Sequence, residues 1–171
     1  EKPDDWELVI GDDASTDGTA EMLSAYQRSC PDNVRLLSRS KNGGDQGRTN
    51  YLDTLAACRG EYIAYLDGDD YWLDDSKLTR QINLLDTQPE LSACAHAVNR
   101  VYADGSSDVF NTLPGPVPLS LATVSRNFSF IHCSSFMYRR SILPAMPRWF
   151  ADDRVKIDDW AMTLLCAQAG P

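Results

Sequence analysis

Three carboxylates lie within a run of four residues, at Asp67, Asp69 and Asp70, with Gly68 between the first two. Carboxylates this close repel one another, and a divalent cation or a metal-bound polyphosphate relieves that repulsion. Their oxygen atoms suit Mg²⁺ or Mn²⁺ better than Zn²⁺. A calcium-binding EF-hand loop is excluded, because that loop needs glycine at its sixth position and this sequence has Trp72 there.

The acidic segment also fits a simpler interpretation. A solvated turn could contain Asp67 and Asp69, while Asp70 only helps to start the next helix. An isolated Asp-x-Asp pattern is short and often occurs without a function. The choice between a ligand-binding site and a solvated turn therefore depends on the secondary-structure elements around the segment.

Two acidic segments each follow an apolar segment that is typical of a buried β-strand. Residues 62–66 precede Asp67, and residues 6–11 precede the pair Asp12 and Asp13. Strand-like and helix-like segments alternate through residue 90, which predicts a mostly parallel sheet with right-handed crossovers. Ligands bind at the carboxyl ends of the strands in such sheets, so we expect both acidic segments to form a joint site.

The sequence also predicts how the first helix begins and where later strands lie. Ser15 or Thr16 is expected to cap the first helix. Residues 91–102 and residues 134–138 are each predicted to form one strand.

The composition predicts one globular domain and argues against a nucleic-acid partner. The 171 residues are 43% apolar and 24% charged, which is ordinary for a folded domain. Sixteen basic and 25 acidic residues give a net charge of −9, so no nucleic-acid partner is expected. The five cysteines include no C-x-x-C pair and are expected to be reduced core residues of a cytosolic protein. No transmembrane segment or signal peptide is predicted.

The chain contains, in this order, the segments WELVIGDDASTDGT, KNGG, RGEYIAYLDGDDYW and IDDW. Together they resemble the family 2 glycosyltransferases of GT-A fold. The resemblance implies an α/β protein in which helices flank a mostly parallel nucleotide-binding sheet and the acceptor side is less regular. We expect a single GT-A-like domain over residues 1–171, in which residues 1–102 bind the nucleotide sugar and residues 103–171 bind the acceptor.

The resemblance also implies roles for the acidic residues. Asp13, the second carboxylate of the first motif, matches the residue that contacts the base or ribose of the nucleotide, and Asp12 stands beside it. Asp69, the last carboxylate of the Asp-x-Asp motif, matches the ligand of a metal ion on the diphosphate. Asp67 is the first carboxylate of that motif, and the expected metal is Mn²⁺ or Mg²⁺.

Late in the chain, Asp158 and Asp159 match the acidic pair that carries the catalytic base of the family. We expect Asp159 to be the base and Asp158 to position the acceptor. Candidates on the acceptor side are His132, Trp72 and Trp160. In the simpler interpretation, both tryptophans cover loop hinges and His132 is a packed, hydrogen-bonded residue. Neither histidine of the chain has a second histidine four residues away, so no zinc site is expected.

The function that the resemblance implies is metal-dependent transfer of a sugar, with inversion, from a nucleotide-diphosphate sugar to an acceptor hydroxyl. The expected nucleotide is UDP, and the expected acceptor is a saccharide or lipid-linked saccharide in the synthesis of cell-surface polysaccharide or glycoconjugate. The expected location is the cytoplasm, peripheral to the cytoplasmic face of the membrane.

Two other functions remain open. A sugar-phosphate nucleotidyltransferase has a similar acidic site, but it needs a Gly- and Arg-rich phosphate loop near its N-terminus, which this sequence lacks. The other is a nucleotide-sugar-binding domain without turnover. This reading stays open because the chain begins near the family's second strand, and we expect a shortened chain without the first strand.

Overall fold

A computed structural model of the protein describes residues 5–110, 116–126, 131–151 and 158–170. Among the described residues, helices and short β-strands follow one another along the chain, which confirms the predicted α/β class. The chain forms two compact units. The first consists of residues 5–60 with Ala151, and the second of residues 61–110, 116–126, 131–150 and 158–170. In the described ranges, no helix is both long and apolar enough to cross a bilayer.

The first unit contains two parallel strands that are connected through a helix. Its elements are β1 (Leu8–Asp12), α1 (Thr19–Ser29), β2 (Val34–Ser38) and α2 (Arg48–Ala57). The two strands are paired in register from Leu8 with Val34 to Asp12 with Ser38. Because both strands end at the same edge, the loop after β1 lies next to the loop after β2.

The start of α1 differs from the prediction that Ser15 or Thr16 caps it. The cap position is Gly18, whose φ of 92° lies in the left-handed region that favours glycine. The side chain of Asp17 accepts a hydrogen bond from Thr19 N–H at 3.1 Å. The predicted cap was wrong because the chain turns at Gly18, which makes Asp17 the acidic side chain beside the first free amide.

The second unit contains three short helices and five short strands among its described residues. They are β3 (Tyr62–Ala64), α3 (Lys77–Thr87), β4 (Ala93–Cys94), β5 (Val98–Val101), β6 (Ser107–Phe110), α4 (Leu121–Arg126), β7 (Met137–Arg139) and α5 (Asp158–Ala169). The predicted strand over residues 91–102 is divided into β4 and β5. The strand predicted over residues 134–138 begins at Met137, after a 3₁₀ turn at Cys133–Ser135.

Strand β7 lies between β3 and β4 and is antiparallel to both. Strands β5 and β6 form a separate antiparallel hairpin. Parallel pairing among the described residues is therefore limited to β1 and β2, whereas the sequence predicted a mostly parallel sheet. The alternation of elements up to residue 90 does not reveal the antiparallel sheet, because its middle strand comes from a much later part of the chain.

The core of the second unit is built around β7 and α5. Met137 and Tyr138 of β7 are each 1% exposed. Arg139 donates hydrogen bonds to the carbonyls of Leu85 at 2.6 Å and Leu91 at 2.8 Å, which ties β7 to the end of α3. Helix α5 contributes the buried side chains Ala161, Met162, Leu165 and Cys166. Each large apolar side chain buried in this way stabilises the fold by about 1.5–3 kcal/mol.

Candidate functional site

Asp67 lies shortly after β3 and is held by two side chains. Its Oδ1 accepts a hydrogen bond from the hydroxyl of Tyr65 at 2.6 Å, and its Oδ2 accepts one from the thiol of Cys133 at 2.9 Å. Its carbonyl accepts a hydrogen bond from Asp70 N–H at 3.2 Å, which closes a turn around Gly68. The carboxylate is half-buried and oriented, so it is more than part of a loosely solvated turn.

Asp69 and Asp70 are neighbours in sequence but have different surroundings. Asp69 is exposed, and no other described residue forms a hydrogen bond or an ion pair with its carboxylate. Asp70 Oδ2 accepts a hydrogen bond from the hydroxyl of Ser134 and lies 3.9 Å from His132 Nδ1. The turn thus directs Asp69 to solvent and fixes Asp70 against the segment before β7.

His132 organises that segment, which we call the 132–135 turn. Its Nδ1 accepts a hydrogen bond from Ser134 N–H at 3.3 Å. Its carbonyl accepts hydrogen bonds from the N–H of Ser135 at 3.0 Å and from the hydroxyl of Ser135 at 2.7 Å. Because Nδ1 is an acceptor, the proton of the neutral ring is on Nε2.

The indole of Trp72 lies between the turn at residues 67–70, which we call the acidic turn, and buried side chains. Its Nε1–H donates a hydrogen bond to the carbonyl of Ser134 at 3.0 Å, and Lys77 Nζ lies 4.5 Å from the ring centroid. Lys77 also donates to Gln81 at 2.6 Å, and Gln81 donates to the carbonyl of Ser135 at 2.9 Å. Burial lowers the pKa of Lys77 to about 8. These contacts hold one edge of Trp72 and one face of it in place.

The thiol of Cys133 is affected by two acidic groups, Asp67 and Asp159. Burial raises the pKa of its thiol to about 12, and the hydrogen bond to Asp67 and the charges of Asp67 and Asp159 act in the same direction. The thiol is therefore protonated at neutral pH and donates to Asp67. The effect of Asp159 shows that its carboxylate lies within electrostatic range of this group.

Helix α5 begins at the predicted acidic pair. The side chain of Asp158 lies outside the described residues. Asp159 is half-buried, and its Oδ1 accepts a hydrogen bond from Trp160 N–H at 2.7 Å. The indole N–H of Trp160 donates to the carbonyl of Val124 in α4 at 3.4 Å. The helix start and the contact with α4 position Asp159.

Asp12 and Asp13 belong to the first unit. Asp12 is buried, and its Oδ1 accepts a hydrogen bond from Ser15 N–H at 3.3 Å. Asp13 Oδ1 accepts a hydrogen bond from Gly43 N–H at 3.0 Å and lies 3.7 Å from Arg39 Nε. The loop after β2 therefore supplies both groups that face Asp13.

Next to these residues is a cavity of about 380 Å³ in the first unit. It is lined by Leu37, Ser38, Arg39, Asn50, Asp53 and Ala57. Arg39 thus faces this cavity and Asp13.

Of the predicted site residues, the structure brings together Asp67, Asp70, His132 and Trp72, with Asp69 on the same turn. Sequence reasoning missed Cys133 and Ser134, which join them. All the cysteines were predicted to be core residues, yet Cys133 is half-buried and bonds to Asp67. The polar run 132–135 was a signal, but its position beside Asp67 depends on the pairing of β3 with β7.

The sequence was also compared with known protein families. The sequence pattern of the family described as Glycosyl transferase family 2 matches residues 1–146. The chain belongs to this family. Membership in family 2 confirms the resemblance and, with the α/β elements, a GT-A-like fold.

Several relatives were found for this family 2 chain. An uncharacterized protein of Mycobacterium tuberculosis is 42% identical over 136 residues, which are 78% of this chain and 38% of that protein. An uncharacterized glycosyltransferase of Nostoc is 30% identical over 161 residues, or 92% of this chain and 48% of that protein. The Escherichia coli protein named UDP-Glc:alpha-D-GlcNAc-diphosphoundecaprenol beta-1,3-glucosyltransferase is 33% identical over 82 residues. These residues are 48% of this chain and 30% of that protein. The match spans less than half the length of each relative.

Proposed function

We propose that this family 2 protein transfers a sugar from a nucleoside-diphosphate sugar to an acceptor hydroxyl, with inversion at the anomeric carbon. The observation that carries the proposal is the 67–70 turn. There, the exposed Asp69 stands between two carboxylates that Tyr65, Cys133 and Ser134 orient. Mg²⁺ is usually bound through one or two carboxylates together with the phosphates of the substrate, and this turn supplies such carboxylates.

The donor atoms of this turn fit a hard divalent cation. Asp69 is exposed, and the oxygens of Asp67 can accept further contacts beside their hydrogen bonds. An all-oxygen donor set suits Mg²⁺ or Mn²⁺. We assign the metal to Asp69 and Asp67. When bound, the ion would offset the negative charge of the leaving diphosphate.

We propose Asp159 as the general base. A single displacement needs a base on the acceptor side that takes the hydroxyl proton as the diphosphate leaves. Asp159 Oδ1 accepts from Trp160 N–H, and we assign Oδ2 to the acceptor hydroxyl. The charge of Asp159 also raises the pKa of the Cys133 thiol, and that thiol donates to Asp67. Asp158, next to it, would position the acceptor.

The nucleoside is proposed to bind at Asp13, with Asp12 behind it. Asp13 is 16% exposed and is held by Gly43 N–H and Arg39, so its carboxylate has a fixed direction. A fixed carboxylate can accept hydrogen bonds from a ribose hydroxyl or a base N–H. The name of the Escherichia coli relative includes UDP-Glc, which favours uridine as the nucleoside.

The acceptor is proposed to be a saccharide on a lipid carrier, in the synthesis of a cell-surface polysaccharide. The name of the Escherichia coli relative includes GlcNAc-diphosphoundecaprenol, and a Bacillus subtilis relative is named as a putative teichuronic acid biosynthesis glycosyltransferase. Trp72, Trp160 and His132 are candidates for contacts with the acceptor sugar. Free thiols at all five cysteines favour a reducing compartment, and we propose the cytoplasmic face of the membrane.

The test is to incubate the protein with a panel of nucleotide sugars, Mn²⁺ and lipid-linked saccharides, and to measure the small products. Release of nucleoside diphosphate together with a product of inverted configuration is expected. Release of pyrophosphate would instead indicate a nucleotidyltransferase. Binding without any release would indicate a domain without turnover.

The matched variants for this test are Asp69→Asn and Asp32→Asn, both at exposed aspartates. Asp69→Asn should remove the effect of Mn²⁺ on UDP binding in calorimetry, because it removes the charge that attracts the ion. Asp32→Asn should behave as the unsubstituted protein. UDP affinity that does not change with chelator would remove the metal from the proposal.

A further inference from the structure

Three different metal-binding atoms meet between the acidic turn and the 132–135 turn. Asp70 offers a carboxylate oxygen, His132 an imidazole nitrogen and Cys133 a sulfur, all within 4.8 Å of one another. His132 Nδ1 is 3.8 Å from Cys133 Sγ and 3.9 Å from Asp70 Oδ2. Ligand atoms of a tetrahedral zinc ion are about 3.5 Å apart, so small side-chain rotations would close the set.

The chemistry of this set differs from that of Asp67 and Asp69. Imidazole nitrogen and thiolate sulfur select ions such as Zn²⁺, whereas Mg²⁺ and Mn²⁺ prefer oxygen. The sequence predicted no zinc site, because no second histidine lies four residues from either histidine. Here the other ligands are Cys133, adjacent in sequence, and Asp70, which the fold brings in.

The surroundings also fit a bound ion. The side chains of His132 and Asp70 are 35% and 34% exposed, so an ion from solvent can reach them. The hydroxyl of Ser134 donates to Asp70, and such a partner orients a ligating carboxylate. The hydrogen bond from Ser134 N–H to His132 Nδ1 is long, at 3.3 Å, and gives way when the nitrogen turns to the ion.

We propose that Asp70, His132 and Cys133 form a Zn²⁺ site with three protein ligands and a fourth position open to solvent. As the sulfur binds the ion, the thiol proton passes to solvent. The hydrogen bond from Cys133 to Asp67 is then lost, which frees Asp67 Oδ2. This ligand set differs from the oxygen ligands assigned to Mg²⁺ or Mn²⁺, which it adjoins where Cys133 contacts Asp67, and the proposal goes beyond sugar transfer.

The test is to titrate the whole chain with Co²⁺ in excess Mg²⁺. Co²⁺ occupies tetrahedral zinc sites, and a Co²⁺–thiolate bond gives a near-ultraviolet charge-transfer absorption that oxygen ligands do not give. The absorption should appear, and Zn²⁺ should abolish it. Cys133→Ser should remove it, whereas the matched control Cys30→Ser, at a cysteine of the first unit, should keep it.

Two further variants separate the possible outcomes. His132→Gln should lower Zn²⁺ affinity by more than about tenfold, with circular dichroism as the check that the variant is folded. This variant decides the matter if Cys133→Ser does not fold. Asp69→Asn should keep the absorption. The proposal is overturned if saturating Co²⁺ gives no absorption, if the absorption survives in Cys133→Ser, or if His132→Gln binds Zn²⁺ normally. Sugar transfer is measured with Mg²⁺ or Mn²⁺ alone, so failure of either proposal is seen separately.

Discussion

Asp159 has two roles that one substitution can separate. As the first-turn acid of α5, it accepts a hydrogen bond from Trp160 N–H, and asparagine accepts such a bond about as well. As the proposed base, it takes a proton, which asparagine does not do. Asp159→Asn should therefore keep its melting temperature and UDP affinity, while turnover falls by roughly 10²–10⁴.

The control for this prediction is Asp158→Asn, which should cost less because we assign that residue to positioning the acceptor. The measurements are kcat with saturating donor and the thermal midpoint. Normal turnover in Asp159→Asn would leave only the structural role.

The buried Lys77 makes the free energy of unfolding depend on pH. Burial lowers its pKa from the ordinary 10.5 to about 8 in the folded protein. Between these values the unfolded chain holds a proton that the folded protein has lost, so the contribution of Lys77 to the free energy of unfolding should rise with pH across this window. The contribution is on the order of 2 kcal/mol after allowance for solvent screening.

Lys77→Met removes this titration. The difference in unfolding free energy between wild type and Lys77→Met should shift in favour of wild type from pH 8 to pH 10.5. The matched control is Lys41→Met at an exposed lysine, which should follow wild type at every pH. Urea unfolding at both ends of the window measures the effect. The prediction would be contradicted if the free energies of unfolding of Lys77→Met and wild type changed by the same amount between pH 8 and pH 10.5.

At the residue scale, the sequence revealed the carboxylates and missed what holds them. Asp67 and Asp69 follow an apolar segment, and such a local pattern can be recognised from the sequence alone. Cys133 and Ser134 are distant in sequence, and only the pairing of β3 with β7 brings them to the turn. Local periodicity carries no information on such long-range pairing, so these partners could not be predicted.

At the scale of elements, the start of α1 depends on one backbone conformation. Gly18 has a φ of 92°, and a Cβ added there meets no atom within 4 Å. The cost of a side chain is therefore conformational, and Gly18→Ala should lower the free energy of unfolding by about 1–2 kcal/mol. Urea unfolding measures this cost.

The matched control is Gly68→Ala in the acidic turn. A Cβ at Gly68 also meets nothing within 4 Å, but its φ is not in the left-handed region. Gly68→Ala should leave stability unchanged or raise it by up to about 1 kcal/mol, because alanine restricts the unfolded chain. Equal losses in both variants would show that φ is not the cause.

Most elements were predictable from local patterns, and their ends were not. The sequence predicted strand-like and helix-like segments in alternation through residue 90, and the structure has β1, α1, β2, α2, β3 and α3 in that order. The cap of α1 was wrong because the choice between Ser15 and Gly18 depends on the path of the loop. The division of residues 91–102 into β4 and β5 was also missed, because no glycine or proline marks the break.

At the scale of the whole molecule, α5 is held by apolar burial. Met162 is 1% exposed, whereas Met22 of α1 is 64% exposed. Met162→Ala should lower the free energy of unfolding by about 2–5 kcal/mol, because it removes buried atoms and leaves a cavity. Met22→Ala, the same change at the surface, should stay within about 0.5 kcal/mol of wild type. Similar losses in the two variants, measured by urea unfolding, would contradict a core built on α5.

The position of β7 has a consequence for how the protein is made. This strand joins β3 and β4, yet it follows both in the chain. A ribosome adds about 5–20 residues per second, so β3 and β4 emerge seconds before the strand that pairs with them. During that interval their backbone donors and acceptors stay open to other chains. Until residue 137 has been added, the growing chain therefore lacks the strand that covers the edges of β3 and β4.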